Sequence, residues 1–145
     1  MKNWTGLSTD SRVLLAEAVR KELENGDVEQ AQLGLQTLID AMSHSDRRAM
    51  ESFLTVLMAH VIKWKSQPEK RSASWAKTIV SARREIKKIQ RDSPSLNQSY
   101  LETIWTDCLN DATEDAELEM QKKSAIETLS WEEVFNEIYS LQNLE

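Results

Sequence analysis

Apolar residues recur along the chain at steps of three and four, the period of an amphipathic helix, in stretches separated by small polar residues and two prolines. Leu15, Val19 and Leu23 mark a first helix, with Ser8, Thr9 and Asp10 offering its N-cap and Asn25-Gly26 a left-handed stop. A second begins at Asp27 and carries Val28, Ala31, Leu35, Leu38 and Met42 on one side. Ser43-His44-Ser45 reads as a break before a third, from Asp46 to Lys65. That helix is apolar nearly all round between Phe53 and Ile62, which a folded chain tolerates only where neighbours cover it, so it is expected to be central.

The Ser66-Gln67-Pro68 turn should end the third helix, because proline disfavours helix in the residue before it and cannot extend the hydrogen-bond ladder. Ser72 can cap a fourth, in which Trp75, Ile79, Ala82, Ile86 and Ile89 form a packing stripe. Lys77, Ser81, Arg84, Lys88 and Arg91 step in the same rhythm along another face. Beyond Asp92-Ser93-Pro94-Ser95, the residues Leu101, Ile104, Trp105, Cys108, Leu109 and Ala112 predict a fifth helix with an acidic far end. Ser130 and Glu133 have capping-box spacing for a short last helix through Trp131, Val134, Phe135 and Ile138. The pattern predicts an all-α fold, an irregular bundle of about five to six helices in a single domain. Its expected parts are an N-terminal helical pair over 10–42, a central pair over 46–91 and acidic C-terminal helices over 97–142.

Composition agrees with that reading. Only 3 Gly and 2 Pro in 145 residues leave few turns for a many-stranded fold, and 40% hydrophobic residues are too many for general disorder. Cys108 is the single cysteine, so no internal disulfide can form, and the expected compartment is the cytoplasm. The longest apolar stretch, Phe53 to Ile62, is interrupted by Thr55 and His60 and falls short of the ~18 residues a membrane span needs.

Charge changes the picture more. The net formal charge of −6 conceals a dipolar chain. From Asp46 to Arg91, twelve bases stand against four acids, a net of +8, whereas from Tyr100 to Glu145 two lysines stand against twelve acids, a net of −10. The candidate binding residues are therefore Arg47, Arg48, Lys70, Arg71, Lys77, Arg84, Lys88 and Arg91. Two readings of this basic region stay open. Acids such as Glu114, Asp115, Glu117 and Glu119 could cover it, in the same chain or in a second copy, or it could hold phosphates with Trp64 or Trp75 stacking on bases. A pI of 5.1 opposes nonspecific attraction to a polyanion and favours the first.

The stretch from Ser45 to Leu96 resembles a bacterial family catalogued as domain of unknown function 29. The residues that carry the resemblance are Ser45-Asp46-Arg47-Arg48, the set Leu57, His60, Lys63 and Trp64, the run from Gln67 to Ser72 followed by Trp75, then Ile79, Arg83, Arg84 and Ile86, and finally Asp92-Ser93-Pro94-Ser95-Leu96. The similarity extends loosely from Leu14 and through Trp131 to the end, with Thr128-Leu129-Ser130 where the family has a proline. It implies an all-helical fold and supplies no activity, substrate or cofactor.

Signatures of chemistry are few. Gly6, Gly26 and Gly34 are isolated, which disfavours a phosphate-cradling loop, and two His with one Cys cannot furnish a Cys/His zinc site, so neither metal nor cofactor is expected. Cys108 sits beside Asp107 and Asp111, which favour the neutral thiol of a buried small hydrophobe over a nucleophile. His60 lies among Phe53, Leu57, Val61 and Trp64 and needs a partner there, for which Arg83 or a tryptophan of the fourth helix is a candidate. It is either a hydrogen-bonded core residue or a general acid/base that acts with Arg83 and Arg84 on a phosphodiester. The reading favoured by the sequence is a small non-catalytic intracellular helical interaction module with a protein partner or its own copies as partner. An RNA-binding or phosphodiester-cleaving protein that uses His60 is the alternative.

Overall fold

The computed structural model describes residues 3–141, without the side chains of residues 8–10. As the hydrophobic pattern predicts, the described residues are helical and include no strand. The helices are α1 (Trp4–Asp10), α2 (Arg12–Glu24), α3 (Val28–Ser66), α4 (Ala73–Asp92) and α5 (Gln98–Met120), with a 3-10 turn at Pro68–Lys70 and a single π-helical turn at Glu132–Asn136. By packing, the chain divides into two compact units with the boundary between Arg47 and Arg48.

In the first unit, α1 is an element the sequence pattern does not predict. Ser8, Thr9 and Asp10 belong to its backbone, and the N-cap of α2 is Ser11, whose hydroxyl accepts from the Leu14 N–H at 3.3 Å. Any cap made by the side chains of 8–10 lies outside the described residues. The stop at Asn25-Gly26 forms as expected: Gly26 adopts φ 81°, its N–H reaches the Leu23 carbonyl, and the Asp27 N–H reaches Glu22 at 2.9 Å, the two bonds of a Schellman motif. Asp27 then caps α3 by accepting from the Gln30 N–H. Trp4, Leu15, Val19 and Ala31 form this unit's core. The Trp4 ring lies against Gly34 so closely that a Cβ there would come within 2.6 Å of it, and only glycine permits the approach.

The expected break at Ser43-His44-Ser45 does not occur. α3 runs unbroken for 39 residues from Val28 to Ser66, so two predicted helices are one. None of the three residues is a helix breaker; Ser and His only lack strong preference, and without Pro or Gly the ladder continues.

The core of the second unit is built on the C-terminal part of α3, where Met50, Leu54, Leu57, Met58, Val61 and Ile62 are all fully buried. One side stays open, with Val56 exposed. Ile79, Ala82 and Ile86 of α4, Leu101, Cys108, Ala112 and Ala116 of α5, and Leu129, Val134 and Tyr139 of the C-terminal segment pack into the same core. Ser72 caps α4 through the Trp75 N–H at 3.2 Å, and the Ser130/Glu133 capping box closes reciprocally, at 2.9 and 3.1 Å. The box opens only the π-helical turn. Ile138, predicted inside the last helix, lies beyond that turn and is exposed.

Candidate functional site

The fourth helix separates its two faces as its spacing dictates. Ile79, Ala82 and Ile86 are buried, while Lys77, Arg84, Lys87, Lys88 and Arg91 are exposed. Among the described contacts the ion pairs of this face stay local: Lys88 meets Glu85 of its own helix at 3.4 Å, and Arg91 meets Asp92 at 3.7 Å. Lys77, Arg84 and Lys87 have none among the described residues. Arg47 and Arg48, on either side of the unit boundary, and Lys70 on the 3-10 turn are also exposed.

Several acids of the C-terminal half are engaged elsewhere. Glu119 pairs with Lys63, a side chain only 5% exposed that also lies 5.1 Å over the Trp75 ring. Glu133 and Glu137 pair with Lys65 at 3.2 and 3.0 Å. Burial works against the charge of Lys65, but hydrogen bonds to both carboxylates outweigh it and raise its pKa. Glu117 accepts from the Ser124 N–H. Glu51, Asp107, Asp111, Glu114 and Asp115 instead line an open groove of about 840 Å³ between α3 and α5, with Val56 and Ile104 among its walls. No group of three or more His, Cys, Asp or Glu among the described residues is arranged to hold a metal ion.

The structure does not join His60 to Arg83. The His60 Nδ1–H donates to the Val56 carbonyl one turn earlier, at 2.9 Å, and its electrostatic neighbours are Lys63 and Glu119. Arg83 donates from Nε to the Val134 carbonyl at 2.8 Å, lies 5.5 Å over the Tyr139 ring, and has its Nη2 buried without a partner. Arg71 is likewise committed: its Nε donates to the Trp64 carbonyl at 2.8 Å and its guanidinium lies over the Trp64 ring. Thus Arg71 and Arg83, two of the sequence candidates, fasten segments together, whereas Lys77, Arg84, Lys88 and Arg91 are free of such work. Sequence reasoning missed Lys63 and Tyr139. A lysine between Ile62 and Trp64 on the most apolar helix was the available signal for the first.

Burial pushes the Cys108 thiol up; a hydrogen bond with the Thr55 side chain opposes the shift, Glu51, Asp111 and Asp107 add to it, and the Sγ lies 3.7 Å from the Glu51 carbonyl. This is the environment of a packed, neutral thiol. Burial also lowers the His60 pKa below 6.5; the Val56 hydrogen bond opposes the shift and Lys63 adds to it. A folded pKa below the unfolded one means that His60 contributes stability at pH above 6.5, which is lost as pH falls through the folded value. Thermal melts between pH 7.5 and 5 should therefore show a loss that shrinks in His60→Gln. At pH 7.5, His60→Ala should cost about 1 kcal/mol. Identical pH profiles for the two proteins would refute the assignment.

No helix among the described residues is long and apolar enough to cross a membrane. Neither a curated protein nor a solved structure matches the chain significantly. The family model described as domain of unknown function DUF29 matches residues 13–139, which takes in α2 to α5 and the C-terminal π-helical turn. The chain belongs to the DUF29 family.

Proposed function

We propose that this protein is a small, non-catalytic helical interaction module whose basic α4 face docks an acidic protein surface. The observation that carries the reading is the exposed row of Lys77, Arg84, Lys88 and Arg91, which no carboxylate from another element covers among the described residues. An uncovered row of one sign steers a partner of the other sign and sets its orientation. The enzymatic alternative draws no support from the separation of His60 and Arg83. Base stacking draws little, because Trp64 is buried and Trp75 lies half-buried beneath Lys63.

Changing Arg84 and Lys88 together to Glu tests the proposal. Both side chains are exposed and, among the described residues, only Lys88 has a partner, its own neighbour Glu85, so stability should change by no more than about 0.5 kcal/mol. Binding of the unmodified protein to poly-L-glutamate should weaken steeply as salt rises, and the double variant should not bind. Retention of binding in a folded double variant would overturn the reading. Binding to single-stranded RNA but not to poly-L-glutamate would replace it with nucleic-acid contact.

A further inference from the structure

The acidic groove and the basic face have matching spacing. On α4 the residues Val80, Arg84, Lys87 and Arg91 step by four, three and four, and all are exposed. On α5 the residues Asp107, Asp111, Glu114 and Leu118 step by the same intervals, and all are exposed too. Such steps keep each row on one side of its helix, and eleven residue-to-residue rises of α-helix give both a length of about 16 Å. Laid antiparallel, the two rows fall into a single register. Leu118 faces Val80, Glu114 faces Arg84, Asp111 faces Lys87 and Asp107 faces Arg91.

The three carboxylates of the α5 row have no partner among the described contacts; on the α4 row only Arg91 does, in the long contact with Asp92. The apolar ends match as well: Leu118 is 71% exposed, and beside Val80 lies Ile138, 76% exposed, in a groove that Lys77, Arg83 and Arg84 line without any carboxylate. The chain cannot satisfy the register by itself. With α4 and α5 joined by the five residues 93–97, a hairpin sets Arg91 level with residues near 99, about 12 Å short of Asp107. A second copy has no such restraint.

We infer that the chain self-associates head-to-tail, with the Val80, Arg84, Lys87 and Arg91 row of one copy docked antiparallel on the Asp107, Asp111, Glu114 and Leu118 row of another. This rests on the proposed interaction role of α4 and names its partner as a second copy of this chain. Glu51 and Asp115 add two carboxylates along the same groove, while Lys77, Lys122 and Lys123 fall outside the matched stretch. Each copy carries one row of each sign, so the contact is heterologous and can propagate or close.

Charge reversal gives the test. Sedimentation of the unmodified protein in about 0.1 M salt should show a mass that rises with concentration, and the effect should fade in about 1 M salt, where screening acts within about 3 Å. A variant with Arg84→Glu and Lys87→Glu, and one with Asp111→Lys and Glu114→Lys, should each associate at least about tenfold more weakly. Mixed together, the two should associate again, because each supplies the row the other has lost. Leu118→Ser should weaken association without any change of charge. Circular dichroism checks that every variant is folded. An unmodified protein that stays monomeric, or a mixture that fails to recover, overturns the inference. If poly-L-glutamate binding through Arg84 and Lys88 survives in that case, the α4 reading stands and only the second copy as partner is lost.

Discussion

Trp64→Ala is expected to cost about 3–5 kcal/mol, a large share of the 5–15 kcal/mol by which domains of this size are stable. The indole is 4% exposed at the end of α3, where three segments meet. Tyr139 stands edge-on to it at 5.8 Å, and the Arg71 guanidinium covers it at 5.1 Å while its Nε bonds the Trp64 carbonyl. Truncation would leave a cavity and remove the surface on which Arg71 and Tyr139 rest. Trp64→Phe keeps part of the apolar volume and the edge contact and should lose less than half as much. Urea unfolding followed by circular dichroism measures both. A loss under about 1 kcal/mol for the alanine variant would mean that this junction does not hold the second unit together.

The same junction brings together several of the residues that carry the family resemblance. Lys63, Trp64, Arg71, Ser72, Trp75 and Arg83 are scattered over twenty-one positions, yet their contacts are mostly with one another or with the C-terminal segment. Ser72 starts α4, Arg71 ties the turn to α3, Lys63 lies over Trp75, and Arg83 anchors the Val134 carbonyl. A motif rich in Arg, Lys, His and Trp suggests a phosphate site on paper. Here several of those groups are spent on backbone carbonyls and aromatic faces within the fold, while Arg47, Arg48, Lys70 and Arg84 stay exposed without such a contact among the described residues.

What could be read from the sequence was local. The Asn25-Gly26 stop, the Ser72 cap and the Ser130/Glu133 box each depend on residues three to five apart, so their chemistry is written in adjacent letters. The two faces of α4 were legible for the same reason. Contacts between distant segments were not: nothing near Arg83 announces that its partner lies 51 residues later, or that Glu119 would reach Lys63. The seven-residue α1 carries too short a pattern to separate from a loop. The acidic C-terminal half was visible as charge, but which base each acid would meet depended on packing.

The Ser43-His44-Ser45 segment supplies the sharpest remaining test, because no core residue of either unit lies within it. Ala31 belongs to the core of the first unit, with Leu38 packed against it, and Met50 and Leu54 to that of the second, and no residue from 43 to 47 belongs to either. Core burial does not hold the helix there, so its own hydrogen bonds and the absence of a breaker carry much of it. Ser45→Pro should then remove the bond to residue 41, clash with that carbonyl and cost about 3 kcal/mol or more, with faster amide hydrogen exchange centred on residues 41–49. Ser45→Ala should act in the opposite direction by about 0.5 kcal/mol, since alanine has the higher helix preference. In a loop, alanine would have no helix to favour and proline would break no helical bond. Unaltered exchange in the proline variant would therefore show that 43–45 is the break its composition suggests, and that α3 is two helices rather than one.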